Sequence, residues 1–152
     1  MKIRPTKPED ISALQTVVEQ AEMFPPEMLP GMFAPSQDEG DPSLWLTCEH
    51  DGKAVGFCYT VPEKMADGAW NMLAIAVLSS LHGQGAGTLM TEALEAHLAS
   101  EGQRLIVVDT SGLPEFEATH GFYRARGYRE EARIADFWAP GDDKVIFTKA
   151  LG

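Results

Sequence analysis

Residues 70–88 read WNMLAIAVLSSLHGQGAGT, an almost continuous apolar run followed by a polar turn with three glycines. The run Trp70–Val77 is typical of a strand that is buried on both faces of a sheet. Beyond the glycines, apolar side chains recur at helical spacing, at Leu89, Met90, Ala93, Leu94 and Leu98, with His97 on the same stripe. The stretch therefore predicts a central strand, a glycine-rich turn and a helix in direct succession.

The turn Gly83–Gly87 has the composition of an anion site. Glycines let a ligand approach the backbone, and the first N–H groups of the following helix point outward at its positive end. A P-loop is excluded because no lysine follows these glycines. A dinucleotide fingerprint is matched only in part, since Thr88 stands where its third glycine belongs. With Asp109 after the next strand, a nucleotide-binding redox protein stays an alternative.

Patterns on both sides of this stretch predict further strands and helices. Upstream they are a strand at Ile3-Arg4, a helix capped by Asp10, a proline-broken lid or short helix at 23–33, and a hairpin of 44–48 with 54–61. The hairpin turns at Asp51-Gly52, which pairs position 50 with 53 and 48 with 55. Downstream they are a strand at 105–108, a helix at 116–126, and strands at 128–134 and 144–151.

These elements predict an α/β fold. Its sheet is mixed and mostly antiparallel, with one central parallel strand-helix-strand crossover and helices on both faces. A chain of 152 residues suits one domain, which we place at 1–152.

Composition limits the partners and the compartment. The formal net charge of −11 disfavours nucleic acid and anionic membrane surfaces, and it attracts amines. No apolar run approaches the roughly 20 residues of a membrane helix, and no signal peptide pattern is present, so we expect a cytoplasmic protein. Cys48 and Cys58 are expected to be reduced and packed, and no ligand spacing suggests a metal.

Two motifs in order carry a family resemblance. Ile75-Ala76-Val77 followed by His82-Gly83-Gln84-Gly85-Ala86-Gly87 is similar to the acetyl-coenzyme A segment of the GCN5-related N-acetyltransferase (GNAT) family, Q/R-x-x-G-x-G/A after a strand. Downstream, Gly121–Tyr128 resembles the family's F-Y-x-x-x-G-F segment, and the opening Ile3–Asp10 is similar as well. His82 departs from the family, which usually has Gln or Arg at this position.

The resemblance implies transfer of an acetyl group from acetyl-coenzyme A to a primary amine in a ternary complex. Tyr123 aligns with the family's usual proton donor, and a phenol stays protonated at neutral pH. Arg126 is expected to reach a cofactor phosphate. The backbone of Ile75, Ala76 and Val77 is implied in pantetheine and oxyanion contacts, and the pyrophosphate is assigned to His82, Gly83, Gln84, Gly85, Ala86, Gly87 and Thr88.

The resemblance leaves the general base and the acceptor open. Asn71 stands where one branch of the family has a glutamate base, and Phe116 where another has an asparagine for the cofactor. Substitute bases are Glu22, Glu27, His50, His120 and Asp109. These departures keep a coenzyme A-binding module without turnover as an alternative. The acceptor is a small polyamine-like amine or a peptide amine, and a homodimer is possible.

Overall fold

The computed structural model describes residues 1–152, with seven strands and four α-helices joined by short turns. In chain order they are β1 (Lys2–Pro5), α1 (Ile11–Ala21), α2 (Leu29–Phe33), β2 (Leu44–His50), β3 (Lys53–Pro62), β4 (Ala69–Val77), α3 (Ala86–Ser100), β5 (Leu105–Ser111), α4 (Glu117–Ala125), β6 (Arg129–Ala139) and β7 (Asp142–Ala150).

The strands form one sheet in the order β1-β2-β3-β4-β5-β7-β6. β4 and β5 pair in parallel across the α3 crossover, whereas β1–β2, β2–β3, β5–β7 and β6–β7 pair antiparallel. The predicted α/β class, with a mixed and mostly antiparallel sheet and one parallel crossover, is confirmed.

Packing divides the chain into two compact units. The first contains Met1–Val61 and Leu73–His97, and the second contains Pro62–Met72 and Leu98–Gly152. The single domain over 1–152 stays a prediction.

In the first unit, helices cover both faces of β2, β3 and β4. One face packs against α1 and α2, through Leu14, Val17, Val18, Leu29, Phe33, Trp45, Phe57, Ala74 and Ala76. The other face packs against the start of α3, through Cys48, Val55, Ala86 and Met90. Alternation along β4 sends Ala74 and Ala76 to one side and Ile75 and Val77 to the other. Burying a large apolar side chain stabilises the fold by about 1.5–3 kcal/mol.

Segment 23–33 mainly covers this core. Two 3₁₀ turns, Pro26–Met28 and Ala34–Gln37, flank α2, as the prolines require. Leu29 and Phe33 are buried, and the Phe33 ring meets Trp45 edge-on at 5.3 Å. Met28, in contrast, is half exposed.

The prediction that Asp10 caps α1 was wrong. Its carboxylate accepts no hydrogen bond from α1; it accepts two from Arg4, at 2.7 and 2.9 Å, and one from the Lys7 N–H at 2.7 Å. The Arg4 guanidinium holds the pKa of Asp10 below its usual value. Asp10 therefore ties β1 to the start of α1 instead of satisfying the helix amides.

The hairpin register was right at its turn and wrong beyond it. His50 pairs with Lys53 as predicted, but a β-bulge after Cys48 pairs Cys48 with Gly56 instead of with residue 55. Both cysteines are free and buried, and burial raises the pKa of Cys58 to about 12. The thiols are therefore packed and unreactive.

The second unit contains the other end of the sheet and α4. Tyr123 is 2% exposed, and its ring lies 5.4 Å from Tyr128 and 5.7 Å from Phe147. His120 is also buried; its Nε2–H donates to the Ser111 carbonyl at 2.9 Å and lies 3.1 Å from the Thr110 hydroxyl. These contacts anchor α4 to the end of β5.

The predicted boundaries of four elements in this unit were too short or shifted. β7 begins at Asp142 instead of residue 144 and ends at Ala150 instead of residue 151. β5 continues to Ser111, and α4 is preceded by a separate 3₁₀ turn at Pro114–Phe116. β6 continues to Ala139 because its ladder with β7 resumes after a bulge between Ile134 and Ala139. Asp136, with φ at 55°, lies in that bulge, where the Asp143 carboxylate accepts its N–H.

The longest helix, α3, has 15 residues. None of the helices combines the length and the hydrophobicity that a membrane span requires. The cytoplasmic location stays a prediction.

Candidate active site

The parallel ladder of β4 with β5 is short. It contains three pairs, Ala69 with Leu105, Trp70 with Ile106 and Asn71 with Val107. β4 nevertheless continues to Val77, and β5 continues to Ser111. Ile75, Ala76 and Val77 therefore have no partner from β5, and this strand edge can pair with an extended ligand as it would with an added strand.

The glycine loop follows directly and opens outward. Gly83 and Gly85 adopt φ of 79° and 88°, and no atom lies within 4 Å of a Cβ added at either position. Ala86 begins α3 with its side chain buried, and the first N–H groups of a helix have no acceptor within it. A diphosphate can thus meet backbone amides and the positive end of a 15-residue helix.

His82 braces this loop through its own ring. The His82 Nε2–H donates to the Val77 carbonyl at 2.9 Å, which fixes the tautomer. The loop is also held from α1, where Gln20 Oε1 accepts from the Ser79 N–H at 2.9 Å and from its hydroxyl at 3.0 Å. The neighbouring Gln84 is exposed, whereas Gly87 and Thr88 are half-buried in the first turn of α3.

A close backbone contact fixes β4 next to this loop. A Cβ at Gly56 of β3 would lie 2.9 Å from the Ala76 carbonyl oxygen, closer than real Cβ atoms approach. Only glycine therefore allows β3 to approach β4 at this point.

In the second unit, Arg126 directly follows α4 and is half-buried, with its guanidinium 5.5 Å from the centre of the Phe122 ring. The predicted proton donor, Tyr123, lies one turn earlier in the buried aromatic cluster. Phe116 lies in the turn before α4 and is 37% exposed.

An acidic cluster surrounds Asn71 at the end of the parallel ladder. Its Nδ2 donates to Glu63 Oε1 at 3.0 Å and to Asp109 Oδ2 at 3.2 Å. Asp109 also faces Lys144, whose Nζ lies 3.5 Å from the same oxygen. Asp109 is thus the one substitute base that lies beside Asn71.

The other substitute bases lie elsewhere. Glu22 ends α1, Glu27 lies in the 3₁₀ turn before α2, and His50 ends β2, 3.5 Å from Asp51. His120 is a buried anchor of α4. Glu22, Glu27 and His50 belong to the first unit, and Asn71 belongs to the second.

Glu63 was not among the site residues predicted from the sequence. Its N–H donates to the Ala69 carbonyl at 2.8 Å, which closes the loop between β3 and β4 and brings its side chain to Asn71. An acidic residue at the end of a predicted strand is visible in the sequence. The strand register across the six-residue loop between β3 and β4, which brings Glu63 to Asn71, cannot be read from the sequence.

Aromatic side chains complete this end of the second unit. The β6 bulge presents Phe137 and Trp138, each 48% exposed, with ring centres 4.8 Å apart at a right angle. The Trp138 Nε1–H donates to the Thr110 carbonyl at 3.0 Å. Lys144 Nζ lies 4.3 Å from the centre of the Phe137 ring.

The parallel ladder of β4 with β5 thus stops at Asn71, and β4 continues into a glycine loop and a helix. Residues 12–128 match the Acetyltransferase (GNAT) family, so the chain belongs to that family. The predicted family is confirmed. A curated relative, an uncharacterized N-acetyltransferase of Methanocaldococcus jannaschii, is 22% identical over 98% of this chain and 91% of its own length.

Solved structures share the fold. A crystal structure of a GNAT-family protein from Desulfovibrio desulfuricans has a TM-score of 0.92 at 22% identity and covers 99% of both chains. An aminoglycoside 6'-N-acetyltransferase complexed with coenzyme A has a TM-score of 0.82 at 17% identity, over 99% of this chain and 97% of its own. The ribosomal-protein-S18-alanine N-acetyltransferase of Escherichia coli has a TM-score of 0.82 at 20% identity, over 99% of this chain and 94% of its own.

Proposed function

We propose that this protein transfers an acetyl group from acetyl-coenzyme A to a primary amine in a ternary complex. The observation that carries the proposal is the parallel ladder that stops at Asn71, with the glycine loop at the end of the same strand. Membership of an acetyltransferase family supports it. The fold shared with an acetyltransferase complexed with coenzyme A supports the cofactor.

The residues present fit acetyl-coenzyme A. The free edge of Ile75, Ala76 and Val77 suits the amide groups of a pantetheine arm, and the open glycine loop suits a pyrophosphate. We assign the pyrophosphate contacts to backbone atoms of the segment 82–88, because the His82 ring is already used to brace the loop. Arg126 is assigned to a cofactor phosphate on its charge and half-exposed position.

The chemistry requires three proton and charge movements. The ammonium loses a proton, and the neutral amine attacks the thioester carbonyl carbon, so that a C–N bond forms. Backbone N–H groups near Ile75–Val77 stabilise the oxyanion. When the C–S bond breaks, the thiolate takes a proton, which we assign to the phenol of Tyr123 on the family resemblance. The second proton of the nitrogen leaves to solvent, and the phenolate takes a proton back from solvent.

Two observations support an amine acceptor that carries positive charge. Fold relatives are named for an aminoglycoside and for a ribosomal-protein alanine, which represent a small polycation and a peptide amine. The acidic surface, at −11, favours a cationic acceptor. A homodimer stays a prediction, with the exposed strand β6 as its natural edge.

A coenzyme A-binding module without turnover is the second candidate. The observation that favours it is Asn71, a neutral amide at the position where one branch of the family has a glutamate base. Family membership gives no support to the nucleotide-binding redox alternative.

The test is a calorimetric titration with acetyl-coenzyme A, with NADH as the control ligand, followed by release of coenzyme A with a panel of amines. We expect micromolar binding of acetyl-coenzyme A alone and faster thiol release with a suitable amine. Binding without amine-dependent release would establish the binding module. Absence of binding, or preference for NADH, would refute the acetyltransferase.

A further inference from the structure

The acidic cluster of Glu63, Asn71 and Asp109 has a charge that its neighbours do not balance. Both carboxylates contact the same amide nitrogen, at 3.0 and 3.2 Å, so the two negative charges lie within about 6 Å of each other. Lys144 is the cation that pairs with Asp109. One negative charge remains, and like charges this close favour a further cation.

A second observation points to a ligand that donates hydrogen bonds. Asn71 is 8% exposed, and its Oδ1 is a buried acceptor without any partner. A buried acceptor left unpaired costs free energy, so a donor that reaches it is stabilised. An alkylammonium has three N–H donors and no acceptor, which matches one amide oxygen and two carboxylates.

Lys144 demonstrates that these surroundings suit an alkylammonium. Its Nζ lies 3.5 Å from Asp109 and faces two aromatic rings, with 4.3 Å to the centre of Phe137 and 5.9 Å to that of Trp138. Carboxylates and ring faces both attract such a group. Glu63 is exposed, so the cluster can be reached from solvent on its side.

We propose that Glu63, Asn71 and Asp109 form a subsite for a cationic group of the acceptor, and that this group is not the nitrogen that is acetylated. Nearby carboxylates favour the charged form of an amine, and an ammonium has no lone pair with which to attack a thioester. The acceptor class is therefore a molecule with two or more cationic groups. The subsite rests on the proposed function for its role in acetyl transfer.

The binding test uses defined amines. Protein with excess coenzyme A is titrated calorimetrically with 1,3-diaminopropane, 1,4-diaminobutane and spermidine, and with n-butylamine as the single-cation probe. The variants are Asp109→Asn and Glu63→Gln. Glu92→Gln, an exposed carboxylate on α3, is the matched control for the change in charge.

We expect at least one multivalent amine to bind about tenfold more tightly than n-butylamine, since a charge-assisted contact is added. Asp109→Asn and Glu63→Gln each remove that advantage and leave n-butylamine unchanged, whereas Glu92→Gln retains it. In the acetylation assay Glu63→Gln raises KM for the multivalent amine and leaves kcat and its pH profile unchanged.

Three outcomes would overturn the subsite: no preference for any multivalent amine, a preference that survives in both variants, or an equal loss of kcat with all amines together with a shifted pH profile. The last would place the carboxylates at the reacting nitrogen. Failure of the proposed function differs, because then acetyl-coenzyme A does not bind or no amine is acetylated, whatever the diamine affinity. Thermal unfolding of each variant confirms that it is folded. Glu63→Gln is the safer of the two variants in this respect, because Glu63 is exposed.

Discussion

The glycine loop of the first unit and the acidic cluster of the second are built in opposite ways. The proposed pyrophosphate site uses backbone atoms of the consecutive residues 82–88, in which Gly83 and Gly85 have positive φ. The cluster uses side chains that are distant in the chain, from Glu63 to Lys144. A backbone site tolerates changes of side chain and is visible as a motif, whereas a side-chain site exists only where folding brings its members together.

The largest effect is expected when the proposed proton donor is removed. We expect Tyr123→Phe to lower kcat by about 100-fold, the usual contribution of a general acid, with the dissociation constant of acetyl-coenzyme A unchanged. Tyr128→Phe removes a hydroxyl from the same aromatic cluster and is the control. Equal kcat values for the two variants would exclude Tyr123 as the proton donor.

A smaller effect concerns the ion pair that joins β1 to α1. Asp10→Asn is expected to lower the free energy of unfolding by about 2 kcal/mol at pH 7, because Arg4 loses a charged partner. Since the folded pKa of Asp10 is depressed, this stability is present above its unfolded pKa and is lost as the pH falls below about 4.

Urea unfolding of wild type and Asp10→Asn from pH 7 to pH 3 measures this difference. Asp38→Asn, at an exposed aspartate, is the control. A difference that is constant with pH would show that the charge of Asp10 is not what stabilises the fold.

The backbone site is tested by two glycines with nearly the same φ. Gly85→Ala and Gly40→Ala both place a Cβ at positive φ, 88° and 90°, in open space. Each is expected to cost about 1–2 kcal/mol of stability. Only Gly85→Ala is expected to weaken binding of acetyl-coenzyme A, by about tenfold, because its strain shifts the loop amides. Equal affinities, measured by calorimetry, would exclude this loop as the pyrophosphate site.

The smallest effect is expected at His82. His82→Ala removes the hydrogen bond to the Val77 carbonyl and lowers stability by about 1 kcal/mol, measured by thermal unfolding. Affinity for acetyl-coenzyme A should change by less than about threefold if the backbone makes the site. His82→Gln restores the residue usual in the family. A large loss with alanine and rescue by glutamine would make the side chain a ligand of the cofactor.

The predictions from sequence succeeded where the signal is local. The strand β4, the glycine turn and α3 were placed correctly, because burial on two faces, backbone conformation and helical spacing are each written in neighbouring residues. The assignments failed where a side-chain partner or an irregularity outside the local pattern decides. Arg4 takes the carboxylate of Asp10 away from the helix, and a bulge moves Cys48 opposite Gly56.

The sequence by itself determined the class of fold, the family and the position of the glycine loop, since these follow from short-range patterns and motifs. Only the tertiary structure decided that β4 and β5 stop pairing at Asn71, and that Glu63 and Asp109 converge on its amide. The physical reason is that strand register and side-chain convergence depend on packing between residues far apart in the chain.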